Sequence, residues 1–368
     1  MIPFDWDDAF GKVAAQLAGL RTAEVQAGTA TTRQSYAERA RRVERDLEAL
    51  ESLLERKKKF ETSVELRKIL PLFNDEARLL VASAFEPDES LRFGYAERIR
   101  EIRARREGQE RRFFVDVVMR LDYRSQEDTF ARLIGARRAD RIATTLVCGE
   151  PDHGLYWVCN RLRRQIPPSE EQPFVLQYSF GSGAVKHDVS GIYADLARKH
   201  GLPRGAERQR IFEKVCDRWR TTNLVFLFSH VEKLGAPGLT ALLEELWAPF
   251  AQEAARRRPS AASTWIAAFF LHHGDPSEIA AAPLCRDTPG KTAAHVPFLL
   301  PKLAPFDTSA RERWQSDHRL DFPESIQDDT ALAGVFDDCA GVPVDVLSAL
   351  CQHWDYDFNV LCDLWERT

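Results

Sequence analysis

The sequence predicts an α/β protein in which a parallel β-sheet with flanking helices follows an α-helical N-terminal domain. Two observations predict this class. From residue 142 onward, short apolar runs alternate with amphipathic stretches, which is the pattern of parallel strands joined by helical crossovers. Before residue 140, apolar residues recur at helical spacing among charged residues, without strand-like runs.

Length, composition and charge narrow the class of protein. The 368 residues are enough for two or three domains, and 44% hydrophobic with 29% charged residues is typical of a soluble globular chain. We expect a cytoplasmic protein without a membrane partner, because no apolar run reaches the length of a span and the N-terminus is acidic. The seven cysteines form no C-x-x-C pair, which favours reduced core residues over disulfides or zinc ligands. The net charge of −5 argues against a general nucleic-acid binder.

The N-terminal domain is predicted to span residues 1–112 and to be helical. From Arg33 its apolar residues fall at alternating steps of four and three, which indicates a helix with a narrow apolar stripe. We interpret it as part of an intramolecular bundle rather than an intermolecular coiled coil, because the stripe lasts under three heptads. The other features expected here are a helix at Asp7–Leu20, a loop at 26–32, helices at Val64–Phe85 and Leu91–Arg105, and a hinge near Gly108.

The α/β domain is predicted to span residues 113–305. A helix from Phe113 through Gln126 and another around Phe130 are expected before the first strand. The expected strands are Ile142–Cys148, Phe174–Phe180, Leu224–Phe228, Trp265–Leu271 and Val296–Leu300, and the expected helices between them are Leu155–Gln165, Val189–Lys199, Arg208–Arg218 and Leu239–Arg257. An acidic helical subdomain is predicted at 306–368, because residues 301–368 hold five basic and fourteen acidic side chains.

The stretch from Thr144 to Leu162 has the layout of a phosphate-binding P-loop. A strand leads into a six-residue loop bounded by Gly149 and Gly154, and an amphipathic helix follows. A working P-loop has Lys and then Ser or Thr after the second glycine, to neutralise phosphate and to hold Mg²⁺. This chain has Leu155 and Tyr156 there, and neither side chain can do that chemistry.

The loop itself also opposes phosphate binding. Glu150 and Asp152 stand in it beside His153, and a carboxylate at 4 Å repels a phosphate by roughly 4 kcal/mol at an effective dielectric of about 20. Backbone N–H groups at a helix N-terminus offset only about 1 kcal/mol per interaction. The sequence therefore predicts a pseudo-ATPase that binds no nucleoside triphosphate and no other cofactor.

The third strand carries a second departure from a working site. A P-loop enzyme has a metal-binding acid at the end of this strand, whereas this chain has Ser229 and His230, with Glu232 next in reach. The fourth strand ends in His272 and His273, which point to opposite faces and so do not chelate one ion together. We predict no catalytic residue and no metal site. The rival hypothesis is an NTPase or nucleotide sensor that uses His153 and Glu232.

Three segments carry a resemblance to a known family. They are the loop and its helix with Asn160-Arg161-Leu162, the preceding Leu121–Gln126, and Leu299–Leu303. Together they resemble the inactive STAND domains of bacterial conflict systems, over about Val115 to Leu350. The resemblance implies a STAND-type P-loop fold without NTPase activity that serves as a scaffold or sensor. It also implies coupling through helical adaptor domains to effectors such as proteases or nucleases.

The function predicted from these features is a non-enzymatic scaffold or regulator that binds other proteins of an antiphage or conflict signalling system. A protease partner is expected to grip or cut the segment between strands four and five, where Arg286 and Lys291 are the candidate cleavage sites. An ordered crossover with one helical turn near Ile279 is the alternative for this segment. A nucleic-acid-binding regulator that uses the arginines of residues 98–112 is a further alternative for the whole chain.

Overall fold

A computed structural model describes most of the chain and divides it into two compact units. The described residues are 4–61, 66–117, 123–181, 189–257, 264–286, 291–318, 328–353 and 356–360. The helical unit comprises Met1–Leu121, Ser309–Asp337 and Ser348–Leu361, and the α/β unit comprises Asp122–Thr308, Asp338–Leu347 and Cys362–Thr368. The three-part domain division expected from the sequence stays a prediction.

The helical unit is built on long helices that pack in chain order. Its first four helices are α1 (Trp6–Gln26), α2 (Ala30–Glu61), α3 (Leu70–Phe85) and α4 (Glu89–Val117). Each packs against the next, and Ala40 and Val43 of the α2 stripe are buried against Val13 and Leu20 of α1 and Ala84 of α3. The apolar stripe of α2 thus lies inside this unit.

Two expectations for this unit are wrong. No hinge occurs at Gly108, because α4 continues through it to Val117. A solvent-facing glycine costs a helix only about 1 kcal/mol relative to alanine, and the buried Arg106 and Phe113 hold the helix on either side. The helix expected from Val64 begins instead at Leu70, where Pro71 in the first turn marks the start of α3.

The α/β unit contains a five-stranded, all-parallel sheet, as the sequence predicts. Its strands are β1 (Ile142–Gly149), β2 (Phe174–Ser179), β3 (Leu224–Ser229), β4 (Ile266–His273) and β5 (Phe298–Leu299), in the spatial order β2-β3-β4-β1-β5. Its helices are α5 (Arg124–Ala136), α6 (Leu155–Arg164), α7 (Val189–Lys199), α8 (Arg208–Trp219), α9 (Gly235–Leu242) and α10 (Ala248–Arg256). The order places β4 between β1 and β3 and brings the carboxyl ends of all three to one edge.

Buried strands and an aromatic cluster stabilise this sheet. Every residue of β1 is buried, as expected for a central strand covered on both faces. Phe228 of β3 stacks on Phe270 of β4, with ring centroids 4.7 Å apart. A π-helical turn, Leu243–Trp247, joins α9 to α10, and the Trp247 indole N–H donates to Thr144 Oγ of β1 at 3.0 Å.

The segment before α5 differs from the expected continuous helix. The helix predicted from Phe113 through Gln126 is not continuous, since Tyr123 is the N-cap of α5 and does not itself lie in the helix. Residues 118–122 lie outside the described part of the chain.

The connection from β4 to β5 is ordered where it is described. A 3₁₀ turn at Pro276–Ile279 buries Ile279, and Cys285 forms a β-bridge to Phe298. This agrees with the expected helical turn near Ile279. Arg286 and Lys291 are exposed on either side of residues 287–290, which lie outside the described residues.

Three further helices follow β5. They are α11 (Thr308–His318), α12 (Asp329–Asp338) and α13 (Pro343–His353), and their residues are divided between the two units. Across the described part of the chain, no helix has both the length and the apolar character that a membrane span requires. The cysteines within the described residues are free.

Candidate functional site

The loop after β1 has the glycine spacing of a P-loop but a self-contained conformation. Residues Pro151–His153 form a 3₁₀ turn, and Gly154 follows it with a φ of 74°. Glu150 and His153 cap this turn reciprocally: the Glu150 side chain accepts from the backbone of His153, and His153 Nδ1 lies 3.3 Å from the backbone N–H of Glu150. The same Nδ1 lies 3.0 Å from the carbonyl oxygen of Leu303. His153 therefore holds the loop in shape.

Side chains pack directly against the two glycines of the loop. A Cβ at Gly149 would lie 2.8 Å from Leu303 Cβ, and a Cβ at Gly154 would lie 2.5 Å from the Trp157 ring. Leu155 and Trp157 are buried, with 1% and 7% of their surfaces exposed. Apolar side chains thus pack closely against both glycines of the loop, and the burial of Trp157 agrees with its spacing in the sequence.

Residues at the start of α5 hold the loop and its neighbouring segment by hydrogen bonds. Tyr123 Oη donates to the carbonyl of His153 at 2.9 Å, and burial raises the pKa of this phenol far above its ordinary value. The Gln126 side chain donates to the carbonyl of Pro301 at 3.1 Å, and Arg161 of α6 forms a bidentate pair with Glu127 at 2.8 Å. The three segments that carry the family resemblance therefore meet around one loop.

Lys302, a basic residue close to the loop, is already paired with acidic side chains. Lys302 Nζ lies 3.0 Å from Asp275 Oδ2 and 3.6 Å from Glu150 Oε1, and the hydrogen bond to Asp275 raises the pKa of the ammonium. Lys302 follows β5, so the loop motif alone gives no sign of it. Of the other candidate loop residues, Asp152 is exposed and Tyr156 is half-buried in the first turn of α6.

A second group of polar side chains lies at the same edge of the sheet, where β3 and β4 end. His230 Nδ1 is 3.3 Å from Glu232 Oε1, and His273 Nδ1 is 3.5 Å from Glu232 Oε2. The His230 and His273 rings stack with centroids 4.5 Å apart. We call these three residues the histidine–glutamate cluster. Among the described residues it is the group of histidines, cysteines and acids whose ligand atoms lie close enough together to hold a metal ion, all within 4.8 Å.

The backbone and the burial of this cluster determine its charges. Burial raises the pKa of Glu232, but hydrogen bonds from backbone N–H groups, with His273 N–H at 3.1 Å, outweigh burial and hold the pKa below its ordinary value. Burial lowers the pKa of His273 despite the neighbouring Glu232. Glu232 is therefore an anion and His273 a neutral imidazole near neutral pH. His230 adopts a left-handed conformation with a φ of 59°, unusual for a residue with a side chain.

The structure separates several residues that the sequence singled out. His272 is fully buried, whereas His273 joins the cluster, so the two histidines do not act together. Ser229 is also fully buried and supplies no carboxylate. The contacts of His153 are with Glu150 and Leu303, whereas those of Glu232 are with the two cluster histidines. The pairing of His153 with Glu232, on which the nucleotide hypothesis depends, is therefore not formed by these contacts.

Comparisons with known proteins found similarity to a protein family and to a solved structure. The family model described as inactive STAND matches residues 118–278. The solved structure of the Aeropyrum pernix ORC2 protein, in ADPNP–ADP complexes, is similar with a TM-score of 0.40 and 11% sequence identity, covering 66% of this chain and 67% of that chain. No curated protein matches the sequence.

Proposed function

We propose that the inactive STAND domain carried by residues 118–278 is a non-catalytic module that binds other proteins as a scaffold or regulator. The observation that carries this proposal is the occupied loop. Leu155, Trp157 and Leu303 pack against the glycines whose backbone would otherwise approach a phosphate. Opening that space would remove buried apolar side chains from their contacts, at about 25 cal/mol per Å² of apolar surface returned to water.

The setting we propose is an antiphage or conflict signalling system. This rests on the family resemblance, in which inactive STAND domains are coupled to effectors such as proteases and nucleases. The partners would be proteins encoded beside this chain, and they would meet it in the cytoplasm.

The two alternatives are less well supported. A nucleotide sensor would need His153 and Glu232 to face one ligand, and each is engaged in a different set of contacts. A nucleic-acid-binding surface would need the arginines of α4 to be available. Of these arginines, Arg103 and Arg106 pair with Glu76, and Arg106 is buried. The exposed arginines of α4 are interleaved with glutamates along the same helix, which reduces its net positive charge.

The segment between β4 and β5 is the contact region we propose for a protease partner. Arg286 and Lys291 are exposed, and each is a basic residue after which a trypsin-like enzyme cuts. Limited trypsin digestion of the native chain should cut first at these two residues and give fragments of about 33 and 9 kDa. First cuts at the arginines of 98–112 would instead place the accessible segment in α4 and remove this part of the proposal.

The first test of the main proposal is nucleotide binding. The full chain should give no saturable heat with ATP or GTP and Mg²⁺ at millimolar concentration by titration calorimetry. Replacing Leu155 by Lys and Tyr156 by Ser should not restore hydrolysis, because Ser229 supplies no carboxylate at the end of β3. Saturable binding at micromolar nucleotide would overturn the proposal in favour of the sensor.

The second test identifies partners. The tagged chain should capture a protein encoded beside it, with a change in yield after phage challenge. The double variant R286E/K291E should reduce that yield if the contact region is as proposed. The matched control is R204E/R210E, which reverses two exposed arginines of the same unit away from this segment.

A further inference from the structure

We propose that His230, Glu232 and His273 form a binding site for one divalent transition-metal ion, with Zn²⁺ as the expected occupant. The site is separate from the degenerate loop and lies where β3 and β4 end. It is also unlike the Mg²⁺ site of a nucleotide-hydrolysing enzyme, because two of its three ligands are imidazole nitrogens.

The donor atoms lie close enough together to surround one ion. His230 Nδ1 lies 3.3 Å from Glu232 Oε1, and His273 Nδ1 lies 3.5 Å from Glu232 Oε2. One ligand atom from each of the three residues lies within 4.8 Å of the others. Ligands bound to zinc at 2.0–2.1 Å in tetrahedral geometry lie about 3.3–3.4 Å from one another, so each imidazole is near this distance from one carboxylate oxygen, and a bound ion would draw the whole set closer together.

The ligand types of the cluster also suit this ion. Two imidazoles and one carboxylate are the ligand set of open, three-ligand zinc sites, which leave a fourth position for water or another ligand.

An unsatisfied nitrogen supports the same conclusion independently. His273 Nδ1 is buried and has no hydrogen-bond partner among the described residues. A buried polar atom without a partner costs about 1–3 kcal/mol, so such atoms usually have a bond partner of some kind. This nitrogen lies beside the Glu232 carboxylate, at a separation too long for a good hydrogen bond but suitable for two ligands of one ion.

The surroundings hold the ligands in position and leave one side accessible. The backbone N–H of His273 donates to Glu232 Oε2 at 3.1 Å. This hydrogen bond holds the Glu232 carboxylate beside the His273 ring. Gly181 approaches the His230 ring so closely that a Cβ there would lie 3.0 Å from His230 Cδ2. The side chain of His230 is 35% exposed, whereas those of Glu232 and His273 are 12% exposed. An ion could therefore enter from the side of His230.

The expected consequence is a metal-dependent link between the ends of two neighbouring strands. His230 and Glu232 follow β3, and His273 ends β4, so one ion would tie both strand ends together. Such an ion would stabilise the edge of the sheet and keep one coordination position open to a solvent molecule or to a group from a partner.

The test uses the full chain, stripped of metal with a chelator and then titrated with ZnCl₂. We expect one Zn²⁺ per chain by elemental analysis after dialysis. The thermal midpoint should rise by about 5–10 °C when free Zn²⁺ is 100-fold above the dissociation constant. The variants H273A, E232Q and H230A should each weaken zinc binding at least 100-fold, whereas H295A, a half-buried histidine of the same unit outside the cluster, should bind like the original chain.

The outcomes separate this proposal from the proposed function. No zinc binding by the original chain, or unchanged binding in all three cluster variants, would overturn the metal site and leave the nucleotide result unaffected. If H273A fails to fold, H230A gives the same answer, because its side chain is the most exposed of the three. Circular dichroism of each metal-free variant should match that of the metal-free original chain.

Discussion

Two regions at one edge of the same sheet differ in the contacts that hold them. In the loop after β1, apolar side chains pack against the glycines, and the polar His153 holds the loop's own backbone. In the histidine–glutamate cluster, polar atoms of the three side chains face one another, and the buried His273 Nδ1 has no hydrogen-bond partner among the described residues. The two regions are neighbours, since Gly149 pairs with His273 in the sheet. The two regions therefore differ in their contacts although they share one edge of the sheet.

The comparison implies different physical responses. The loop is held by packing and backbone geometry, so its variants should change the free energy of unfolding at any pH. The cluster is held by charge and hydrogen bonding, so its variants should act through pH and metal.

The largest effect is expected in the loop, from Trp157→Ala. Trp157 is buried against Gly154, and removing a buried indole costs about 3–5 kcal/mol through lost contacts and the cavity left behind. Chemical denaturation should show the loss, and Trp157→Phe should lose clearly less. An unchanged unfolding midpoint for Trp157→Ala would mean that packing does not hold the loop.

Gly154→Ala should cost about 2–4 kcal/mol, by adding left-handed strain to a steric clash. The φ of Gly154 is 74°, and its Cβ would meet the Trp157 ring at 2.5 Å and Tyr123 Oη at 2.7 Å. Gly201→Ala is the matched control, because its φ is 67° and nothing lies within 4 Å of its Cβ. The difference between the two unfolding free energies measures the clash alone, and equal losses would show that the loop has room to spare.

Tyr123→Phe should cost about 1–2 kcal/mol, because it leaves the buried His153 carbonyl without its donor. The half-buried Tyr95 of α4 provides the control, as Tyr95→Phe should change the unfolding free energy by less than about 0.5 kcal/mol. Equal effects of the two changes would show that the hydroxyl does not support the loop.

The smallest effect is expected at the cluster, as a pH dependence. The pKa of His273 is lowered in the folded chain, so below the ordinary histidine pKa of 6.5 the unfolded chain binds a proton that the folded chain does not. The contribution of the neutral His273 to the free energy of unfolding is therefore complete above pH 6.5. This contribution is lost as the pH falls toward the pKa that His273 has in the folded chain.

His273→Gln should remove this part of the pH dependence, amounting to less than about 1 kcal/mol between pH 7 and 5.5. The unfolding free energy should be measured with a chelator present, so that metal does not contribute. His200 and His295 also have lowered pKa values, so the original chain keeps some dependence and only the difference between the chains is informative. The same difference in slope for Trp157→Ala would erase the distinction between the two regions.

The sequence predicts the α/β unit well because its signals are local. Buried parallel strands give continuous apolar runs, and the loop's substitutions at Leu155 and Tyr156 are adjacent to the glycines that define the motif. The predicted inability of the loop to hold phosphate stays a prediction; the structure shows that Leu155 is buried. The prediction of a hinge near Gly108 is wrong because the burial of Arg106 and Phe113 outweighs the low helix propensity of one glycine.

The histidine–glutamate cluster could not be predicted in the same way. His230 and His273 are far apart in the sequence, and nothing local relates them. They become neighbours only because β4 lies next to β3, which is a property of the strand order. The adjacent His272 is buried and does not belong to the cluster, whereas His273 lies beside His230 and Glu232. Two neighbouring histidines in the sequence therefore have different surroundings in the structure.

The order in which the sheet is assembled has a consequence for synthesis on the ribosome. The loop after β1 packs against Leu303, which follows β5 in the chain. The two strands that pair with β1, β4 and β5, also come later in the chain than the loop. A chain emerging from its N-terminal end therefore presents this loop without Leu303 until much later residues arrive. An arrested chain ending at Leu284 should leave the amides of 149–154 open to hydrogen exchange, and protection there would show that the loop closes without Leu303. The filled loop is thus completed late, when almost all of the sheet has already been made.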